Sequence, residues 1–312
     1  MPELMEALAR RASSLDGTGR GGADQPVRES PVVTADVVAQ HLRGTGVTSP
    51  ARPAARDPLA RPPAAGRRTT SPTALAVDLG SCTIGVWASH RGTVSGPCGD
   101  ASASVGSLVR RGRVVDIDGC VTLLSQLARK YPEPVPAGGV VVACRPVLAS
   151  DADQDVTRRV LDAVFAPGRL LFIDTVRAAA IGSGAHAGTL LVVDVGAELT
   201  EVALLKDGRV IAARRTEIGT RDLKRGATVD LISDNVLRHV DDMRAGPDAS
   251  DLRSAIARGV LLVGDGALYS GLAPAVAGML RVRVHRAAAP RTAALNGAGL
   301  AAMSLLRHPA LT

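Results

Sequence analysis

Leu75 to Ala88 reads LAVDLGSCTIGVWA, and Leu191 to Leu204 reads LVVDVGAELTEVAL. Laid over each other at an offset of 116 (191 minus 75), both pass from an apolar run through Asp, an apolar residue and Gly into a second apolar run. Each copy therefore predicts a buried strand, a tight turn and a returning strand. Gly80 and Gly196 stand where such a turn calls for positive φ or a close backbone approach. Asp78 and Asp194 fall where each first strand runs out. A carboxylate at a strand end, beside free turn N–H groups, suits a hydrated metal ion and the phosphates that accompany it. One Asp-x-Gly alone is an ordinary hairpin turn, but two at a domain-sized spacing mark a duplicated unit whose turns can grip a ligand from both sides.

The 312 residues give room for one large or two medium domains. Aromatics are 2%, so the core has to be built from Val, Leu, Ile and Ala. The net charge of +7 comes almost wholly from arginine, lysine occurring only at Lys130, Lys206 and Lys224. With so few aromatics to stack on bases, a nucleic-acid partner is not expected. Cys82, Cys98, Cys120 and Cys144 show no C-x-x-C spacing and read as reduced thiols. The start MPELMEALARR carries acids and has no apolar core of signal length, and no run reaches membrane-spanning length, which implies a cytoplasmic protein.

Residues 1–73 differ in composition from the rest. A short helix is expected over Pro2 to Leu15, either a frayed terminus or a weak membrane-surface or partner anchor; the Pro/Arg-rich stretch after it predicts disorder. Arg91 to Ala103 reads as a loop, Val105 to Val109 as a strand, and Asp118 as the cap of a helix burying Val121, Leu124, Leu127 and Ala128. Gly139 to Cys144 and Leu170 to Ile173 read as strands around a helix capped by Ser150 or Asp151, followed by a small-residue helix over Val176 to Ala185. After the second copy come a strand at Val210 to Ala213, helices over Arg221–Arg244 and Ser250–Arg258, then a strand, a glycine turn and a helix in GVLLVGDGALYSGLAPAVAGML. A strand at Arg281 to Val284 and a small-residue C-terminal helix complete the chain. Alternating strands and helices make an α/β protein.

The ordered set VDLGS at Val77, AAAIG at Ala178, VVDVG with TEVALL at Val192, LLVGDGAL at Leu261 and ALNGAG at Ala294 resembles the actin-like ATPase superfamily. VVDIDGCVTLLSQLARK and TEVALL make it most similar to MreB, the bacterial actin homologue. The resemblance covers about Ala74 to Leu306. It implies a two-lobed α/β fold of duplicated ribonuclease-H-like halves: lobe I over 74–187, completed by a C-terminal helix in 290–312, and lobe II over 188–289. It also implies ATP and Mg2+ as cofactors. Asp78 and Asp194 would hold the metal through water, and Gly80, Ser81, Cys82 and Thr83 would form the turn that cradles the β-phosphate. Gly196 would approach the γ-phosphate, and Gly264, Gly266 and Ala267 would face the adenosine.

The departures from MreB are as specific. Where MreB has the Glu that positions the attacking water, this chain has Thr175, with the shorter Asp174 one residue away. A catalytic group misplaced by about 1 Å costs roughly a hundredfold in rate. The second phosphate loop reads Gly196, Ala197, Glu198, Leu199 instead of GGGT, and Asp265 adds a further negative charge. The spans from Asp78 to Asp174 and from Gly219 to Gly259 leave little room for MreB's outer subdomains.

Three functions are compatible with this pattern. The first is an MreB-like cytoskeletal, cell-shape or envelope-organising protein that binds ATP-Mg weakly or has lost hydrolysis, partnered by itself, by a full-length MreB relative or by membrane-associated envelope machinery at the inner face of the membrane. The second is an active ATPase with Asp174 or a neighbour as base. The third, a small-molecule kinase, lacks an insert for a substrate pocket.

Overall fold

A computed structural model describes residues 73–98 and 107–307. The candidate helix over Pro2 to Leu15, the Pro/Arg-rich tail up to residue 72, and Val105 lie outside the described residues.

The first half begins with β1 (Ala74–Leu79), β2 (Thr83–Ala88) and β3 (Gly92–Pro97), an antiparallel meander. A two-residue ladder follows, β4 (Val109–Arg110) with β5 (Arg113–Val114). Then come α1 (Ile117–Ala128), β6 (Val140–Arg145), α2 (Asp151–Phe165), β7 (Arg169–Asp174) and α3 (Thr175–Gly182). The second half repeats the plan with β8 (Thr189–Val195), β9 (Thr200–Lys206) and β10 (Arg209–Thr216). The helices α4 (Thr220–Leu223), α5 (Val229–Arg244) and α6 (Ala249–Arg258) lead to β11 (Val260–Val263), a 3-10 turn over Asp265–Leu268, α7 (Leu272–Leu280), β12 (Val284–Arg286) and α8 (Ala293–Leu306). The sheets run β3-β2-β1-β6-β7 and β10-β9-β8-β11-β12, so they share one topology, with β6 and β7, and β11 and β12, added in parallel.

The strand period of two sends alternate residues to opposite faces. Leu75 and Val77 pack with Leu124 of α1 and Leu161 of α2, while Ala74 and Ala76 turn inward onto α3 and α8. At the same offset, Leu191 and Val193 pack with Ile232, Leu252 and Val276 of α5, α6 and α7, while Leu190 and Val192 turn to that same inner layer. The result is a stack of helices, sheet, helices, sheet, helices, with α3 and α8 in the middle. Each fully buried leucine in it stabilises the fold by about 1.5–3 kcal/mol.

The middle layer is thin because its residues are small: Ala178, Ala179, Ala180, Ala293, Ala294 and Ala298 are all buried. A Cβ on Gly297 would strike the Ala178 carbonyl, and one on Gly182 the Ala293 carbonyl, so α3 and α8 pack backbone to backbone.

Several expectations need correction. Gly92–Pro97 is an edge strand rather than loop, since an edge tolerates its Gly, Ser and Pro. The strand expected to end at Val109 is instead the β4–β5 hairpin, turned by Arg111 (φ 50°) and Gly112 (φ 73°). The cap of α1 is Asp116, whose carboxylate accepts the Gly119 N–H at 2.9 Å; Asp118 lies in the first turn, and Cys120, not Val121, is fully buried. Ser150 caps α2 in a reciprocal box with Asp153. The small-residue helix α3 stops at Gly182, β10 runs on to Thr216, and the last strand begins only at Val284, after Arg281 takes a left-handed cap conformation. Among the described residues, no helix is long and apolar enough to cross a membrane.

Candidate nucleotide cleft

The two duplicated turns are closed by the same hydrogen bond. Gly80 N–H donates to the Thr83 carbonyl at 3.1 Å, and Gly196 N–H to the Leu199 carbonyl at 2.8 Å, the pairs again 116 residues apart (196 minus 80). Neither glycine has positive φ. Gly80 is required by proximity, because a Cβ there would lie 2.7 Å from the Thr83 carbonyl oxygen; at Gly196 the nearest atom would be at an ordinary 3.5 Å. Ser81 is buried, and Cys82 and Thr83 are exposed at the tip.

Asp78 and Asp194 occupy matching places near the ends of β1 and β8. Burial and the neighbouring Asp265 push the Asp78 carboxyl up to about 6. Burial, then Asp78 and Asp265, push Asp194 up to about 7. The third turn is pressed onto the second of them. Gly264 (φ 82°) leaves space that a Cβ would lose to the Asp194 carboxylate, and a Cβ on Gly266 would sit 2.5 Å from that of Val195. Ala267 is buried beside them. Asp265 is neutralised in part by Arg291, whose Nε lies 2.7 Å from Oδ1.

Buried carboxylates with raised proton affinity are relieved by a cation. Among the described residues no three acids, histidines or cysteines are placed to hold a metal by themselves. Two carboxylates completed by water and phosphate oxygens are, however, a donor set that magnesium commonly accepts. The Asp78 and Asp194 pair therefore fits a hydrated cation that arrives with a phosphate ligand.

The residues at the expected catalytic position are otherwise engaged. The Asp174 carboxylate accepts Arg145 Nε at 2.9 Å, and Arg145 Nη1 also donates to Gln154 at 2.7 Å. Thr175 Oγ1 donates to the Arg145 carbonyl at 2.9 Å. At this helix start the Thr175 hydroxyl is spent on a backbone carbonyl, and one oxygen of the Asp174 carboxylate is held by a guanidinium.

Two acids in the second turn and strand take roles set by distant partners: Glu201, which the sequence does not single out, and Glu198, which reads there only as a departure in the second phosphate loop. Glu201, 4% exposed, stands opposite Asp194 in the β8–β9 register, and its carboxylate accepts the Val147 N–H. Burial, and then Asp194, hold its carboxyl well above the usual range. Glu198 accepts the Arg111 backbone N–H and Arg221 Nη1, both at 2.8 Å. Arg111 and Arg113 also pair with Glu217, Arg111 at 2.7 Å. The β4–β5 hairpin of the first half is thereby latched onto the second. Its arginines Arg110, Arg111 and Arg113 line a cavity of about 310 Å³ with Val115 and Glu217. The charged residue inside the apolar run TEVALL was a signal for Glu201; nothing local announced the latch.

Two β-sheets of one topology, each opening with an Asp-bearing hairpin, flank a shared helical layer, an arrangement that matches the actin-like fold. No family model and no curated protein matches the chain. Among solved structures it is similar to MreB5 of Spiroplasma citri bound to ADP, with 12% identity and a TM-score of 0.65 over 76% of this chain and 98% of that one. The same protein bound to AMPPNP gives 12% identity and a TM-score of 0.62 over 75% and 97%. The ethanolamine utilization protein EutJ from Carboxydothermus hydrogenoformans gives 19% and 0.53 over 73% and 89%. At these identities the likeness is one of fold.

Proposed function

We propose that this chain is an MreB-like scaffold, a cytoskeletal or cell-shape and envelope-organising component that binds an adenine nucleotide with Mg2+ between its two lobes and does not hydrolyse it. The observation that carries this reading is the Asp78 and Asp194 pair: two acids, on duplicated turns, each with a raised proton affinity that a cation would relieve. The similar MreB5 structures hold ADP and AMPPNP, which supports an adenine nucleotide as the ligand. The lobes are taken as residues 74–187 with 290–312, and 188–289. Gly80 and Ser81 to Thr83 would receive one phosphate, and Gly264, Gly266 and Ala267 the nucleoside. Magnesium, when bound, would offset the phosphate charge; the chain's own part is to hold it through Asp78 and Asp194.

The loss of hydrolysis is argued from Thr175 and Asp174, both committed to Arg145. An ATPase using Asp174 as base would have to break that ion pair first. Assembly with a second copy or with a full-length MreB relative, at the cytoplasmic face of the membrane, follows from the MreB-like reading. Titration with a fluorescent adenine nucleotide, with and without magnesium, alongside a phosphate-release assay, tests it. Magnesium-dependent binding without release is the expected result; release above background would restore the ATPase reading.

A further inference from the structure

The duplicated turns differ most at one place. Cys82 of the first turn is small and exposed, and its counterpart at the same offset is Glu198, 9% exposed. Its two partners, the Arg111 N–H and the Arg221 guanidinium, both at 2.8 Å, form a donor set that would serve a phosphate oxygen equally well. Glu198 therefore fills an anion seat built from the second turn, the hairpin and α4. The seat is latched. Leu199 packs on Gly112 so closely that a Cβ there would lie 2.7 Å from Leu199 Cδ1, and Arg111 is tied to Glu217 at 2.7 Å.

We propose that the Glu198 carboxylate is a resident anion in the seat of a terminal phosphate, so that the cleft takes a nucleoside diphosphate in preference to a triphosphate. The proposal rests on the nucleotide reading above. A third phosphate reaching past Gly196 would meet a buried like charge whose donors are already used. A diphosphate stops short of it and keeps the hairpin closed.

The test is titration of the full chain with fluorescent ADP and fluorescent ATP in magnesium buffer, repeated with Glu198→Gln, which keeps the shape and removes the charge. Glu198→Ala empties the seat and guards against a glutamine that reproduces the same bonds. The wild type is expected to bind the diphosphate at least about tenfold more tightly, and both variants to bring the two within about threefold, mainly by gaining affinity for the triphosphate. Equal affinities in the wild type, or a preference unchanged in both folded variants, overturn the proposal while leaving the nucleotide reading intact. Binding of neither nucleotide by the wild type or the variants overturns the nucleotide reading and this one with it.

Discussion

Glu201 of β9 accepts the backbone N–H of Val147, in the loop after β6, at 2.5 Å, so a buried carboxylate of the second sheet holds the backbone of the first. Arg215 completes the contact by donating to the Val147 carbonyl at 3.2 Å. Glu201→Gln retains an acceptor and cannot ionise, and its urea midpoint at pH 8 is expected to equal or exceed that of the wild type. Glu201→Ala leaves a buried N–H unpaired and is expected to cost about 1–3 kcal/mol. Equal midpoints for the two variants would show that the bond does not hold the halves together.

The buried aspartates of the two duplicated turns make a prediction about pH. Burial raises Asp78 to about 6 and Asp194 to about 7, so both hold protons more tightly folded than unfolded. The stability they contribute is complete below about pH 4, where unfolded aspartates titrate, and is lost as pH rises through 6 and 7. Asp194→Asn, which cannot ionise, is therefore expected to be more stable than the wild type at pH 8 by roughly 1–3 kcal/mol, with the gap closing toward pH 4. A variant less stable than the wild type across that range would mean that the ionised carboxylate is held by favourable contacts.

The backbone contact between α3 and α8 is tested by two glycines. Gly297→Ala drives a methyl into the Ala178 carbonyl and is expected to cost about 3 kcal/mol or more, because both helices have to part. Gly278→Ala, on α7 with no atom near its added methyl, is expected to raise stability by about 0.5–1 kcal/mol. Thermal unfolding of the pair separates packing from helix propensity; similar shifts for both would contradict the close contact.

At the catalytic position, Thr175→Glu alone is not expected to restore phosphate release, because Glu198 still occupies the terminal-phosphate seat. Asp174→Asn is expected to leave release at the background level of the wild type. Release lost in Asp174→Asn would identify that aspartate as a working base.

Much of this architecture was legible because the chain says it twice. The 116-residue offset relates not only LAVDLG to LVVDVG but also Ala76 to Val192 on the inner face and Leu75 to Leu191 on the outer. Local chemistry failed where tertiary partners decide. GTVSGP has the composition of a turn and becomes a strand because β2 supplies its ladder. Asp118 read as the cap of α1, and the path of the chain gave that place to Asp116 instead. Arg110 to Arg113 form a hairpin whose role is set by Glu198 and Glu217, 87 and 106 positions from Arg111. Glu198 could be read as an added charge at the second turn, but its donors could not.

The most direct test is calorimetric titration of ADP into the wild type and into Asp194→Asn, with and without magnesium. Binding that requires magnesium in the wild type and disappears in the asparagine variant, which remains folded, is the expected result. Nucleotide binding that persists unchanged in Asp194→Asn, or no binding by the wild type at millimolar ADP, would contradict a magnesium-nucleotide cleft at Asp78 and Asp194.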